Sequence, residues 1–389
     1  MGYRFAILGA GRQGLSAGYD LGRFGEAEKI VLYDIDPASV ENGAQKLNRL
    51  LADSRVTGKV LDVSNKTALE KALKGTHSTI SAVPYRFNPL ITEVAVQCRS
   101  NLCDLGGHSD IVRKQLQSDP AAKEAGITIT PDCGMGPGLN ISMGVYAMSY
   151  LDEPEELFIW DGGLPLNPIP PWNYLSTFNI NGLTNEYTGS AYFLRGGKVT
   201  KVPTLTEIET LEFSDPLGKL EAAVTSGGLS TAPWTFEGKL QKLENKTLRY
   251  PGHWNQFRAF KQLGLFGENP IEFNGSTIIP REVFHALLEP EITVDEIRDI
   301  CVIRVQCNGK HQGKNSSCTL ELIETHDDKT GFTAMEKLTG WHASMVAILA
   351  AQGKIPKGGV PVEKALGAED LSQEVEKRKW KIQTHFNEE

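Results

Sequence analysis

The chain has 389 residues and a formal net charge of −8, with 40% apolar and 23% charged residues, 39 Gly and 20 Pro. At roughly 150 residues per domain this length predicts two or three domains, and the ordinary globular composition excludes disorder and fibrous repeats. The acidic balance, with no basic run, excludes nucleic acid and anionic membranes as expected partners.

In chain order, Arg4 to Leu8 is a short apolar run, followed by Gly9-Ala10-Gly11-Arg12-Gln13-Gly14 and then by Leu15, Leu21 and Phe24 at helical spacing. Lys29 to Tyr33 reads as a second strand closed by Asp34, and Pro37 sits near the start of the next helix, where a missing N–H costs nothing. Lys59 to Val63, His77 to Val83, Leu102 to Leu105 and Ile127 to Thr130 read as four further strands. Between them, Thr67 to Leu73, Leu90 to Cys98 and Ile111 to Ala125 read as helices. Strands alternating with helices predict an α/β fold, a Rossmann-type doubly wound parallel sheet with right-handed crossovers.

The rhythm then changes. A helix is predicted from Leu139 to Leu151, and strands at Leu157 to Trp160, Tyr192 to Leu194, Glu244 to Tyr250, Ile300 to Gln306 and Thr319 to Thr325. Their irregular spacing and a long loop from Gly162 to Trp172 predict a second α+β domain with an open mixed sheet. Leu338, Trp341, Met345, Ile348 and Leu349 recur every three or four residues, predicting an apolar helix that packs back on the first domain. The expected division is therefore 1–135 completed by 336–389 for the first domain, and 136–335 for the second.

The longest apolar stretches, such as Ala343 to Ala351, fall short of the ~20 residues that span a bilayer, and a structured motif that begins by Arg4 leaves no room for a secretory signal. The 6 cysteines show no CxxC spacing, which predicts reduced thiols, no zinc site and a cytoplasmic protein.

A GxGxxG string alone is weak, but here it lies between a strand and a helix with an acid ending the next strand. Gly9 permits the tight turn, Gly11 admits a pyrophosphate to the backbone and Gly14 allows close helix–strand packing. The helix-start N–H groups, those around Arg12 and Gln13 included, face the phosphates. Asp34 is placed to accept hydrogen bonds from an adenine ribose diol and to repel a 2′-phosphate, so NAD is the expected cofactor. In this topology ligands bind beyond the carboxyl ends of the strands. Three polar loops converge there: Val83-Pro84-Tyr85-Arg86-Phe87-Asn88, Asp104-Leu105-Gly106-Gly107-His108, and Pro131-Asp132-Cys133-Gly134-Met135-Gly136-Pro137-Gly138-Leu139-Asn140. Gly106 lets backbone approach a ligand, and Gly136-Pro137-Gly138 before Asn140 presents a second helix start suited to a carboxylate.

At these loops the chain resembles the saccharopine dehydrogenase-like family, and within it the lysine 6-dehydrogenases. The matching stretches are Asp104-Leu105-Gly106-Gly107-His108, Pro131-Asp132 with Gly134 and Pro137-Gly138, Gly162-Gly163-Leu164-Pro165, and Glu186-Tyr187-Thr188. Thr225-Ser226-Gly227-Gly228 and Thr247-Leu248-Arg249-Tyr250-Pro251-Gly252-His253 continue them in the family's order. The resemblance implies a Rossmann domain joined to an α+β domain with substrate and oligomer contacts, a homo-oligomer, and redox chemistry at a C–N bond of lysine or a lysine derivative. Saccharopine reductases carry an Asn-Arg-Asp-Ser stretch that grips the glutamate part of their substrate. The corresponding Ser226-Gly227-Gly228-Leu229-Ser230 has no arginine, which favours a smaller amino acid. Cys133 also departs from the lysine 6-dehydrogenases, which tend to be apolar there.

The expected reaction is NAD-dependent oxidation of the L-lysine ε-amine to 2-aminoadipate 6-semialdehyde. Its alternatives are a saccharopine, opine or polyamine dehydrogenase and a non-catalytic sensor that binds NAD. The candidate acid or base is His108 first, then Tyr85, with Asp132 a third choice. Arg249 is the candidate carboxylate clamp, Asp161 a receiver of ammonium, and Asn140, Ser226 and His253 further substrate contacts.

Overall fold

Tyr3–Leu8 forms β1, Arg12–Phe24 α1 and Ala27–Asp34 β2 in the computed structural model, which describes residues 2–177 and 179–388. Helix α2 (Pro37–Leu51) starts where it does because the Asp36 carboxylate accepts the N–H groups of Ala38 and Ser39, and Pro37 occupies a position whose N–H is not needed. There follow β3 (Val56–Val60), α3 (Lys66–Leu73), β4 (Ser78–Ser81), α4 (Asn88–Cys98) and β5 (Asn101–Asp104). The helix expected over 111–125 is instead two, α5 (Ser109–Leu116) and α6 (Asp119–Ala125), before β6 (Thr128–Thr130). Pro120 lies in the first turn of α6, and a proline there neither donates to nor tolerates a preceding helical turn. The third strand lies at 56–60 rather than 59–63, because Leu61 and Val63 leave the sheet to pack in the apolar cluster beneath α3.

The second half begins with α7 (Leu139–Met148), β7 (Glu153–Pro165) and α8 (Ile180–Glu186). Then come β8 (Ser190–Arg195), β9 (Lys198–Pro203), β10 (Glu209–Glu212), β11 (Lys219–Val224), the short α9 (Ala232–Thr235), β12 (Lys242–Arg249) and α10 (His253–Gln262). A small hairpin of β13 (Ile271–Phe273) and β14 (Ser276–Ile278) leads to α11 (Pro280–Ile292) and the long pair β15 (Asp299–His311) and β16 (Lys314–Thr325). The chain closes with α12 (Ala334–Ala351), β17 (Gly358–Gly359), α13 (Ala368–Lys377) and β18 (Ile382–Glu388).

The first sheet has the order β17-β6-β5-β4-β1-β2-β3 and is parallel throughout, so the six predicted strands gain a seventh from the C-terminal part of the chain. The second sheet runs β10-β11-β12-β7-β15-β16-β18, with β8 joining β12 to β9. Only its β12–β7 pairing is parallel among the described strands, which makes it mixed. Strand β7 continues to Pro165, where the sequence predicted a loop from Gly162, because β12 and β15 flank it on both sides. A Cβ at Gly162 would lie 2.5 Å from the Leu248 carbonyl oxygen, so only glycine lets these strands close.

Helix α12 opens with a capping box, Thr333 and Glu336 each satisfying the other's backbone N–H. It lies directly on α1: a Cβ at Gly340 would come within 2.8 Å of the Ala17 nitrogen. Helix α7 packs on the second sheet, with Gly144 against Leu157. One apolar cluster consequently runs from Phe5 and Ile7 through Leu139, Met143 and Met345 to Ile159, Ile303 and Leu320. Residues 382–388, grouped by sequence with the first domain, are strand β18 of the second sheet, paired antiparallel along the outer edge of β16.

Candidate active site

The glycine loop leaves β1 with Gly9 at φ 101°, its N–H donating to the Tyr33 carbonyl at 2.7 Å. A Cβ at Gly14 would sit 1.9 Å from the Gly9 oxygen, whereas one at Gly11 would meet nothing within 4 Å. Helix α1 has no side-chain cap, so the N–H groups at Arg12 and Gln13 face an open cradle. That is the shape and polarity a pyrophosphate requires, and the loop fits a pyridine dinucleotide. Asp34 ties the cradle to β2: one carboxylate oxygen accepts the Ala10 N–H at 2.8 Å and the other the Asp36 N–H at 3.1 Å. Val83 stands beside Gly9, 3.3 Å from where a Cβ would lie, and Pro84 precedes a single 3₁₀ turn, Tyr85–Phe87. Ser81, ending β4, donates to Asn88 at 2.8 Å and fixes that turn.

Tyr85 and His108 face each other with ring centroids 5.2 Å apart, at the mouth of the site. His108 is exposed and leads into α5 without capping it through its side chain. Gly107 at φ 117° passes under the Tyr85 ring, where an added Cβ would lie 3.2 Å from its edge. Behind this pair, the buried Asp104 accepts from the N–H of Gly106 at 2.8 Å, the N–H of Asp132 at 3.2 Å and the Gln115 amide at 2.7 Å. Burial raises its proton affinity.

Asp132 is 3% exposed, and its carboxyl is pushed up to about 7 by burial and by the Asp104 charge, against hydrogen bonding from Ser230. One of its oxygens takes the Ser230 hydroxyl, which arrives from the second domain; the other has no hydrogen-bond partner. The loop after β6 is held from below by His342. Its Nδ1 donates to the Cys133 carbonyl at 2.9 Å, and its Nε2 accepts from Ser142 at 3.0 Å. Burial lowers this imidazole to about 4 and keeps it neutral. Cys133 itself is buried with its thiol pushed up, so it is no nucleophile.

The second domain contributes a group of charges, Asp161 and Arg249 from the sequence reading and Glu186 beside them. Asp161, on β7, accepts from Asn140 at 2.9 Å and Asn245 at 3.0 Å, and burial pushes it up to about 6. Asn140 also donates to the Gly228 carbonyl at 3.0 Å, joining the start of α7 to the 226–230 loop. Ser226 anchors the other end of that loop, donating its hydroxyl to the Asn185 carbonyl at 2.9 Å. Arg249 is buried: its Nε donates to the Tyr187 hydroxyl at 3.1 Å and its Nη1 to the Leu248 carbonyl at 2.9 Å, with the guanidinium 5.2 Å above the Tyr174 ring. Nη2 lies 3.9 Å from Glu186, whose side chain is 31% exposed and whose carboxyl burial pushes up to about 7. Tyr187 in turn donates to His253 at 2.8 Å.

The predicted residues therefore fall into three groups. Gly9, Gly11, Arg12, Gln13, Gly14, Asp34, Val83, Pro84 and Gly106 lie at the strand ends, where the sequence reading expected the dinucleotide. Tyr85, His108 and Asp132 gather beside them. Asn140, Asp161, Ser226 and Arg249 form the adjoining wall. His253, expected as a direct substrate contact, is 2% exposed behind Tyr187 and is kept neutral by burial and the Arg249 charge, so it orients that phenol. Arg249 does not present the open two-pronged fork expected of it, since two of its nitrogens are already engaged. Asp104, Glu186 and Ser230 were read only as members of their strings, with no role of their own, and Asn245 and the neutral anchor His342 were given none. Among the described residues no cluster of His, Cys, Asp and Glu is arranged to hold a metal ion, and no helix is long and apolar enough to cross a membrane.

Comparison with known proteins places this geometry among relatives. A family model described as the saccharopine dehydrogenase C-terminal domain matches residues 134–379, and one described as the saccharopine dehydrogenase NADP binding domain matches residues 5–130. Saccharopine dehydrogenase (NADP+, L-glutamate-forming) of Pyricularia oryzae is 26% identical over 227 residues, which is 55% of this chain and 48% of that protein. The Saccharomyces cerevisiae protein of the same name is 26% identical over 151 residues, 36% of this chain and 32% of its own. Mitochondrial alpha-aminoadipic semialdehyde synthase of Bos taurus is 23% identical over 402 residues, 84% of this chain and 40% of its own. The chain thus spans from about a third to about half of the length of these relatives. Among solved structures, apo histidine-tagged saccharopine dehydrogenase (L-Glu forming) from Saccharomyces cerevisiae superposes with a TM-score of 0.78 at 17% identity, over 99% of this chain and 100% of that one. The likeness is one of fold.

Proposed function

Because the chain belongs to the saccharopine dehydrogenase family, we propose that it is an NAD-dependent oxidoreductase acting on a C–N bond of an amino acid, foremost the ε-amine of L-lysine. The observation that carries the substrate choice is the charge inventory of the wall facing the dinucleotide site. Asp161 and Glu186 share the single guanidinium of Arg249, Asp132 stands beside Asp104, and burial raises the proton affinity of all three acids. Such a wall attracts ammonium groups. Lysine brings two of them and one carboxylate, whereas saccharopine brings three carboxylates to a loop, 226–230, that carries no arginine.

NAD, when bound, accepts the hydride. The chain's own task is to hold the amine and remove its proton, since an ammonium has no lone pair to expel hydride. From a reference pKa near 10.4 this deprotonation costs roughly 4–5 kcal/mol at pH 7. A carboxyl near 7 in a dry pocket is matched to that step, so Asp132 is the proton acceptor we favour, with His108 and Tyr85 relaying to water at the mouth. Asp34 ends β2, and a 2′-phosphate there would face its carboxylate, which supports NAD over NADP. The second reading, oxidation of saccharopine with NADP, is favoured by the names of the relatives.

Reduced-nicotinamide absorbance with lysine, ornithine, saccharopine and diamines, each with both cofactors, separates the two. Lysine with NAD is expected to give the highest kcat/KM. Turnover of saccharopine with NADP in its place overturns the reading, and no turnover of any amine leaves a dinucleotide-binding sensor.

A further inference from the structure

The α3 side of the first sheet is covered only in part. Arg4 is in register with Lys29, and Tyr33 with Lys59, so these side chains alternate onto one face with Val31. Helix α3 closes over Tyr33, whose hydroxyl donates to the Ala72 carbonyl at 3.2 Å. Between this face and residues 71–76 there remains an open cavity of about 430 Å³.

Its rim is cationic. Arg4, Lys29, Lys59, Lys71 and Lys74 line it, and Glu28, the one acid of the lining, is already paired with Arg4 at 3.4 Å. Among the described residues the four lysines make no ion pair, although the chain as a whole carries eight more acidic than basic groups. Lys71 and Lys74 complement the negative end of α3. Lys29 and Lys59 rise from strands and have no such role. A concave wall focuses the field of these five charges. Val31, Ala72 and the Tyr33 ring supply the apolar part of the floor.

We propose that this cavity binds a compact organic polyanion, with its phosphate or carboxylate groups at the lysine rim and its body on the Val31–Tyr33 floor. The site is distinct from the glycine loop. Arg4 and Lys29 lie toward the beginnings of β1 and β2, while the dinucleotide cradle lies beyond their ends. It does not depend on which amine the enzyme oxidises.

The test is titration calorimetry at low ionic strength with tripolyphosphate, ATP and citrate, on protein saturated with NAD so that the cradle is filled. Saturable binding is expected to weaken with added salt, and by roughly tenfold or more in the double variant Lys59→Ala/Lys71→Ala, which removes two charge-assisted contacts. Both lysines are exposed, so the variant keeps its fold, shown by unchanged NAD affinity. Binding of tripolyphosphate and ATP but not citrate assigns a phosphorylated ligand; binding of all three assigns any polyanion. Absence of saturation by all three, or affinities that the double variant leaves unchanged, overturns the proposal.

Discussion

Asp132 owes its proton affinity first to burial and then to the Asp104 charge nearby, while the hydrogen bond from the Ser230 hydroxyl works the other way. An ordinary aspartate titrates near 3.8, and this one near 7, so between those values the folded state binds a proton that the unfolded chain does not. Its contribution to stability is fully present below about pH 4 and is lost as pH rises through 7. At about 1.36 kcal/mol for each unit, the loss is on the order of 4 kcal/mol. Asp132→Asn keeps an acceptor for Ser230 and cannot ionise. Its melting temperature should therefore exceed that of the parent at pH 8, with the gap shrinking or reversing at pH 5. A gap of equal size at both values would mean that Asp132 is ionised throughout. The same variant should lose most of its turnover at every pH, as removal of a general base does.

Pairs of elements, rather than single ones, hold the first domain closed. Helix α13 is tied to α1 by Arg378, whose Nε donates to Asp20 at 3.0 Å while its Nη1 reaches Glu374 at 2.6 Å, all inside the protein. A buried pair stabilises little by itself, but removing one member strands the other. Arg378→Met should lower the unfolding free energy by about 3–5 kcal/mol, read from denaturant midpoints. Adding Asp20→Asn should return part of it, and a double variant no better than the single would show that packing, not charge, is what Arg378 supplies. The contact of α12 with α1 is of another kind. Gly340 lets two backbones meet, and α1 is the helix whose start faces the dinucleotide.

Over the whole molecule the two sheets share one apolar interior, because α12 packs on strands of both and α7, lying against α12, packs on the second. Unfolding is therefore expected as one transition. Calorimetry should show a single peak, and fluorescence of Trp160 and Trp254 in the second domain should change together with that of Trp341 and Trp380 beside the first. Cofactor at about a hundredfold its Kd adds roughly 2.7 kcal/mol and should move this one transition upward as a unit. Two separable transitions, with only one moved by cofactor, would show that the shared interior does not couple the domains.

The βαβ rhythm, the glycine loop, Asp34 at the end of the second strand and the three loops at the strand ends were legible from the sequence. Each depends on residues close together in the chain: an apolar run, a turn that only glycine permits, a helix that starts where its N–H groups are free. The helix over 334–351 was legible for the same reason. Strands β9, β10 and β18 were not, because they are polar, short or at edges and become strands only when a distant partner supplies hydrogen bonds. The tertiary structure alone decided that Glu186 stands beside Arg249, that Ser230 reaches Asp132, and that His253 faces inward. Those groups lie tens of residues apart in the chain, and the proton affinity of a buried acid is set by what surrounds it in space. Residue identity and spacing determine where a ligand is held; burial and long-range contact determine which charges it meets there.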